Sequence, residues 1–172
     1  MKIVKVGFAA FLISGFFTTQ PLFAEGEKYA YVDVAKVFDE YQKTKDNDQV
    51  LQASGKKKET ERDSLVLEIR QMKDEMVLLA DDAKLKKQEV LNQKIKTLQD
   101  FDMQAKQELG EQRNKVVRDI FKDIDDAVQR FGERKGIDFI LNERALLYRN
   151  SKYDVTAEVI QEINKDYSAK KR

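Results

Sequence analysis

From Gln42 to Arg134 the apolar positions fall on helical spacing almost without a break. Leu65, Ile69, Met72, Met76 and Leu79 step by 4, 3, 4 and 3, the seam of a heptad repeat. The run Ala80–Lys84 then carries two adjacent acids and no large apolar residue. Beyond it the seam restarts at Leu91, Ile95 and Leu98, continues less regularly through Ala105, Leu109 and Val116, and recovers its period at Val117, Phe121, Ile124, Val128 and Phe131. A single rod over this stretch would be about 135 Å long at 1.5 Å per residue and would need a partner chain to cover its seam. A hairpin turning near 80–84 covers the seam with the chain's own residues. Folding there pairs positions whose numbers add to roughly 163, setting Met72 against Leu91, Ile69 against Ile95 and Leu65 against Leu98. The hairpin is therefore the expected arrangement. Nearer its base the seam positions become Arg62, Lys58 and Gly55, and Gly55 lies at the height of Gly110 on the opposite helix. Two mid-helix glycines at one level mark a possible pivot, each weakening its helix by about 1 kcal/mol relative to alanine.

The period changes at both ends. Tyr29, Tyr31 and Val32 form a β-rich run, Asp33 is placed to cap a helix, and Val34, Val37, Phe38 and Tyr41 follow at helical spacing. At the other end Gly136 is a natural helix stop. Ile137, Phe139 and Leu141 then alternate with Asp138 and Ile140 as a buried strand, Asn142–Arg144 reads as a turn, and Ala145–Arg149 as the next strand. Asp154 or Thr156 can cap a last helix with Val159, Ile160 and Ile163 inward, and the polar tail 168–172 is expected to fray. Strands from both ends of the chain imply an α+β fold. Residues 25–45 and 117–172 form a small head, and residues 46–116 are a helical-hairpin arm inserted between its halves. A head of roughly 70 residues is marginal for a core of its own and leaves strand edges open, so closure of the sheet between subunits is expected.

Composition narrows the chemistry. The chain has 172 residues, 37% of them charged, and no Cys, His or Trp. Cysteine or histidine metal sites and Ser-His-Asp or Cys-His catalysis are thereby excluded, and no nucleotide-binding loop is present. Adjacent carboxylates such as Asp125 and Asp126 diverge by about 100° on a helix and make no catalytic pair. No enzyme, cofactor or metal is expected. Residues 1–24 read as a secretory signal, with Lys2 and Lys5 ahead of the apolar run Val6–Phe17 and Ala24 at the cleavage position. Their removal leaves 32 less 2, that is 30, basic residues against 31 acidic, a net charge of −1. Such a balance gives no support to nucleic-acid binding.

The segments KYAYVDVAKVFDEYQKTKD and NKVVRDIFKDIDDAVQRFGERKGIDFILNERALLYRNSKYDVTAEVIQEINK, and the order of elements that joins them, resemble the Skp/OmpH family of periplasmic chaperones. The resemblance implies a homotrimer whose strands close a central barrel and whose three arms enclose a cavity. It implies a holdase, working without ATP, for unfolded outer-membrane proteins. The trimer-interface candidates are Tyr29, Tyr31, Phe139, Leu141, Leu147 and Tyr148. A holdase also needs thinly spread apolar surface, and the off-seam residues Val66, Leu67, Val77, Leu78, Val90, Phe101 and Met103 are the client-contact candidates. The family's best-known members are strongly basic and carry a basic arm tip linked to lipopolysaccharide. Here Lys84, Lys86, Lys87, Lys94 and Lys96 lie beside Asp74, Glu75, Asp81 and Asp82, which argues against such a site. The competing reading is a structural periplasmic coiled-coil adaptor that binds a folded envelope partner.

Overall fold

A computed structural model of the chain describes residues 26–171. The expected signal segment lies outside them. The elements are β1 (Tyr29–Val32), α1 (Val34–Glu40), α2 (Gln42–Val77), α3 (Asp81–Lys135), β2 (Phe139–Asn142) and α4 (Thr156–Lys170), with short 3-10 turns at Glu143–Ala145 and Ser151–Tyr153. α2 and α3 form an antiparallel hairpin, the arm. The other elements gather around its base as the head.

The head closes through residues far apart in sequence. β1 and β2 pair in parallel, Tyr29 opposite Phe139 and Tyr31 opposite Leu141. On the other side of β1, Val155 N–H donates to Tyr31 O at 3.0 Å. Asp33 caps α1, its carboxylate accepting from Lys36 N–H at 3.0 Å, while its own N–H donates to Thr156 Oγ1 at 2.9 Å. Asp154 Oδ1 in turn accepts from Thr156 N–H at 2.9 Å. The N-cap of α4 is Val155 rather than Asp154 or Thr156, and Thr156, its first residue, ties the start of the last helix to the start of the first. The core beneath joins Val37 of α1, Ile120, Ile124, Ala127 and Phe131 of α3, and Val159, Ile160 and Ile163 of α4.

Gly136 ends α3 at φ 62°, ψ 42°. Gly136 N–H donates to Glu133 O at 3.3 Å and Ile137 N–H to Gly132 O at 3.0 Å, the paired bonds of a Schellman motif. The reversal presses β2 onto α3. A Cβ on Gly132 would come within 3.2 Å of Ile140 Cδ1, so the helix keeps no side chain there.

In the arm, Leu65, Ile69, Met72, Met76 and Leu79 are the only residues from 62 to 80 that are buried or half-buried. Opposite them Leu91 and Ala105 are buried and Ile95 and Leu98 half-buried. Ion pairs cross the hairpin at the expected heights. Glu75 with Lys87 and Glu68 with Lys94 (2.6 Å) sum to 162, Arg62 with Asp102 (3.0 Å) to 164, and Lys58 with Glu108 (2.7 Å) to 166. The basic and acidic residues that replace the apolar seam near the base therefore pair with each other across it.

Five expectations need correction. The turn occupies 78–80 rather than 80–84. Asp81 and Asp82 already belong to the first turn of α3, where the positive end of the helix dipole favours acids. Residues 145–149 form no strand. Asn142 Oδ1 accepts from Arg144 N–H at 3.1 Å and turns the chain away, and Leu147 and Tyr148 lie in a bend, outside any ladder of the described residues. β2 is not a buried strand in the single chain: only Ile140 turns inward, against α3, and Phe139 and Leu141 stay exposed. The tail does not fray at 168, since α4 runs to Lys170. Tyr41 is not helical; it lies at φ −69°, ψ 124° between α1 and α2, buried at 3% exposure.

Gly55 and Gly110 lie within unbroken helix, and a Cβ at either would meet nothing within 4 Å. Replacing each with alanine is expected to stabilise the protein by about 0.4–1 kcal/mol, through the unfolded chain's entropy and the higher helix propensity. Urea unfolding of the single and double variants measures this. A pivot at this level predicts in addition that the double variant narrows the spread of arm-tip distances, and an unchanged spread would remove that role.

Candidate client-contact and assembly surfaces

Two surfaces carry the apolar residues that one chain leaves uncovered. The first is on the arm. A two-helix hairpin has one seam, so every large apolar residue off that seam faces outward. Leu67 is 55% exposed, Val77 75%, Leu78 87% and Met103 66%, while Val66 and Val90 flank the seam with less exposure. Phe101 differs. It is half-buried, with Lys58 Nζ 5.5 Å from its ring centroid. The same ammonium bonds Glu108, and that bond raises its pKa above the ordinary lysine value. Phe101 is therefore packing material for the charged stretch of the arm and offers little free face. Val50 and Leu85, both exposed, escaped the sequence reading. Leu85 sits just beyond the turn and six residues before Leu91, off the heptad register, and that offset was the available signal.

Of the five lysines past the turn, Lys87 and Lys94 are held in cross-hairpin pairs with Glu75 and Glu68. Two of the five charges are therefore already balanced by acids of the opposite helix. No helix among the described residues is long and apolar enough to cross a membrane, and no group of three or more His, Cys, Asp or Glu residues among them could hold a metal ion.

The second surface is on the head. The parallel register puts Tyr29, Tyr31, Phe139 and Leu141 on one face of the sheet, away from the helices. Tyr29 and Phe139 stack with ring centroids 5.8 Å apart, and both remain about half exposed. Leu141, Leu147 and Tyr148 are also open. A cleft of about 240 Å³, lined by Tyr29, Tyr31, Leu141, Leu146 and Tyr148 among others, runs along this face. Tyr31 differs from the others, being only 4% exposed within one chain, with the Arg149 guanidinium over its ring. It is core rather than free surface. The Tyr29 hydroxyl bonds Glu27, which raises its pKa and keeps it a neutral donor.

Where arm meets head, the Tyr41 hydroxyl donates to Asp123 Oδ2 at 3.1 Å and Lys43 Nζ reaches the same oxygen at 2.6 Å. Burial, with Asp123 alongside, pushes the Tyr41 phenol well above the usual tyrosine range, so it stays protonated as a donor at every physiological pH.

These features define a class of protein, a small α/β head that carries one long helical hairpin, with apolar surface left open both on the sheet and along the arm. Residues 28–163 match the outer membrane protein (OmpH-like) family, and the chain belongs to that Skp/OmpH family. Among solved structures it is similar to a crystal structure of a candidate outer membrane chaperone (OmpH-like) from Caulobacter crescentus CB15. The TM-score is 0.76 at 13% identity, over 81% of this chain and 85% of that one, a likeness of fold. No curated protein matches the sequence.

Proposed function

We propose that this protein is an ATP-independent periplasmic holdase chaperone, which takes up unfolded outer-membrane proteins between the arms of a homotrimer and keeps them from aggregating before insertion. The observation that carries the reading is the distribution of apolar surface. Leu67, the Val77–Leu78 pair and Met103 are exposed at separate places along a charged hairpin. Such a surface suits many weak contacts with an unfolded chain and lacks the continuous patch of a binding site for one folded partner. Membership of the OmpH-like family and the fold shared with the Caulobacter crescentus protein support it.

The trimer rests on the other surface. In a single chain the second edge of β2 has no strand beside it, and the sheet face carries exposed Tyr29, Phe139 and Leu141 next to Leu147 and Tyr148. An open edge beside aromatic surface favours pairing with further copies, and three would close a barrel that holds the arms side by side. The lack of any nucleotide-binding motif is consistent with passive holding.

The test uses residues 25–172. A urea-unfolded outer-membrane β-barrel protein is diluted into buffer with and without the chaperone, and light scattering and complex mass are followed. Suppressed scattering and a complex of three chains with one client are expected. Unchanged scattering from a folded trimer would instead favour the adaptor reading and a folded envelope partner.

A further inference from the structure

The arm joins the head through two helices: α3 runs unbroken from the arm into the head core, whereas α2 is set off from α1 by a break, and one side chain spans that break. α1 ends at Glu40, α2 begins at Gln42, and Tyr41 between them is extended. In an unbroken helix Gln42 N–H would bond Phe38 O, and Glu40 O would take Thr44 N–H. Here Thr44 N–H turns to Tyr41 O at 3.0 Å. Asn164 of α4 supplies both missing partners. Its Oδ1 accepts from Gln42 N–H at 2.7 Å, and its Nδ2 donates to Glu40 O at 3.2 Å. The amide is the shortest group able to do both, since it holds an acceptor and a donor side by side.

The same face of α4 continues the grip. Asn164, Tyr167 and Lys171 are spaced by 3 and 4 residues. The Tyr167 hydroxyl donates to Asp46 Oδ2 at 2.9 Å and Lys171 Nζ reaches the same oxygen at 2.8 Å, while Gln42 Nε2 donates to Asp46 Oδ1 at 2.8 Å. The Tyr167 ring meets Tyr41 edge-on, centroids 5.7 Å apart. Bonds from Lys171, Gln42 and Tyr167 hold the Asp46 carboxyl down to about 2.

We propose that Asn164 is a positioning residue, which fixes the direction in which α2 leaves the head, beside the continuous α3, by holding the α1–α2 break open. The alternative state is explicit in the backbone. Without the amide, the two orphaned groups recover partners if Tyr41 turns helical and α1 runs straight into α2, which swings the root of α2 relative to α3 and the head. Tyr167 and Lys171 then act one turn further along, locking the first turns of α2 to α4. The position of α4 on the head thus sets the root angle of α2.

The chain has no native cysteine, so cysteines at the exposed positions Asp63 (α2) and Glu158 (α4) take spin labels cleanly. Labelled chains are mixed with an excess of unlabelled chains, so that only distances within one chain are read. Asn164→Leu, similar in size and unable to pair, is expected to shift or broaden the 63–158 distance by about 5–10 Å. That is the displacement of a point roughly 30 Å along a helix that swings by 10–20°. Asn164→Asp keeps the acceptor for Gln42 N–H but sets a second oxygen against Glu40 O, and is expected to restore only part of the native distribution, which a loss of packing alone would not allow. Should the leucine variant fail to fold, Asn164→Ser, too short to reach both groups, gives the same reading. A native distribution in a folded Asn164→Leu or Asn164→Ser variant overturns the proposal. The readout is a distance and not client binding, so its failure is distinct from failure of the holdase reading.

Discussion

Ile124→Ala is expected to lower the stability of the whole protein more than any single change in the arm. Ile124 is fully buried and sits among Val37, Ile120 and Val159, each no more than 1% exposed. Truncation removes three carbons from the one place where α1, α3 and α4 meet, and neighbours fixed on three helices cannot collapse into the space. Substitutions of this kind cost about 2–5 kcal/mol. Total stabilities of about 5–15 kcal/mol make that a large fraction. For a chain of this size a loss of 1 kcal/mol moves the melting midpoint by roughly 2–4 °C, so a fall on the order of 5–20 °C is expected. Leu91→Ala in the arm is the comparison. Leu91 is as buried as Phe131, but its surroundings are a single seam flanked by water, into which side chains relax easily. A smaller fall is expected there. Circular dichroism melts of the two variants decide it, and an equal or larger loss at Leu91 would show that the arm, not the head, holds the fold together.

The asymmetry behind that prediction was partly legible in the sequence. The arm was readable in detail, since a two-helix seam is a local pattern and each of its five residues from Leu65 to Leu79 is covered as the heptad requires. The helix end near Gly136 was readable too, because a glycine stop is local chemistry. The head was harder, because its order is non-local. Which parity of β2 faces inward depends on where α3 lies, a matter settled 110 residues from β1 in the chain and invisible to alternation alone. At 145–149 the β propensity is present, but a strand also needs a neighbour, and one chain supplies none. Along α3 the expected stripe of Val117, Phe121, Ile124, Val128 and Phe131 is displaced. Ile120, Ile124, Ala127 and Phe131 are the buried set, and Phe121 is 43% exposed against Phe38. A helix covered by α1 on one side and α4 on another buries a broader and rotated face than a two-helix seam does. Asn164 gave no signal at all, because a polar residue on an amphipathic helix reads as solvent-facing until the break it spans is seen.

The largest expected effect on the proposed activity comes from the arm surface. A variant carrying Leu67→Gln, Val77→Gln, Leu78→Gln and Met103→Gln is expected to fold normally and to hold clients poorly. All four side chains are more than half exposed, and none contributes to the hydrophobic core. Glutamine is nearly as good a helix former as leucine or methionine, so stability should stay within about 0.5 kcal/mol per site. Holding is different, because an unfolded chain meets these side chains one at a time and gains apolar burial at each. Full burial of such a side chain is worth about 1.5–3 kcal/mol, and a partial, mobile contact roughly a third of that. Four contacts then amount to about 2–4 kcal/mol, a weakening of roughly 30- to 1000-fold. Titration of an unfolded β-barrel protein with the variant, read by light scattering, should show aggregation at chaperone concentrations that suppress it for the unchanged protein. If the variant suppresses aggregation as well as its parent, the arm's exposed apolar residues are not the holding surface. If only the Val77 and Leu78 pair matters, holding is concentrated at the tip, next to Leu85. An even loss across the four would mean that the client is held along the arm by contacts each weak enough to break and re-form, which lets a polypeptide stay bound while remaining unfolded.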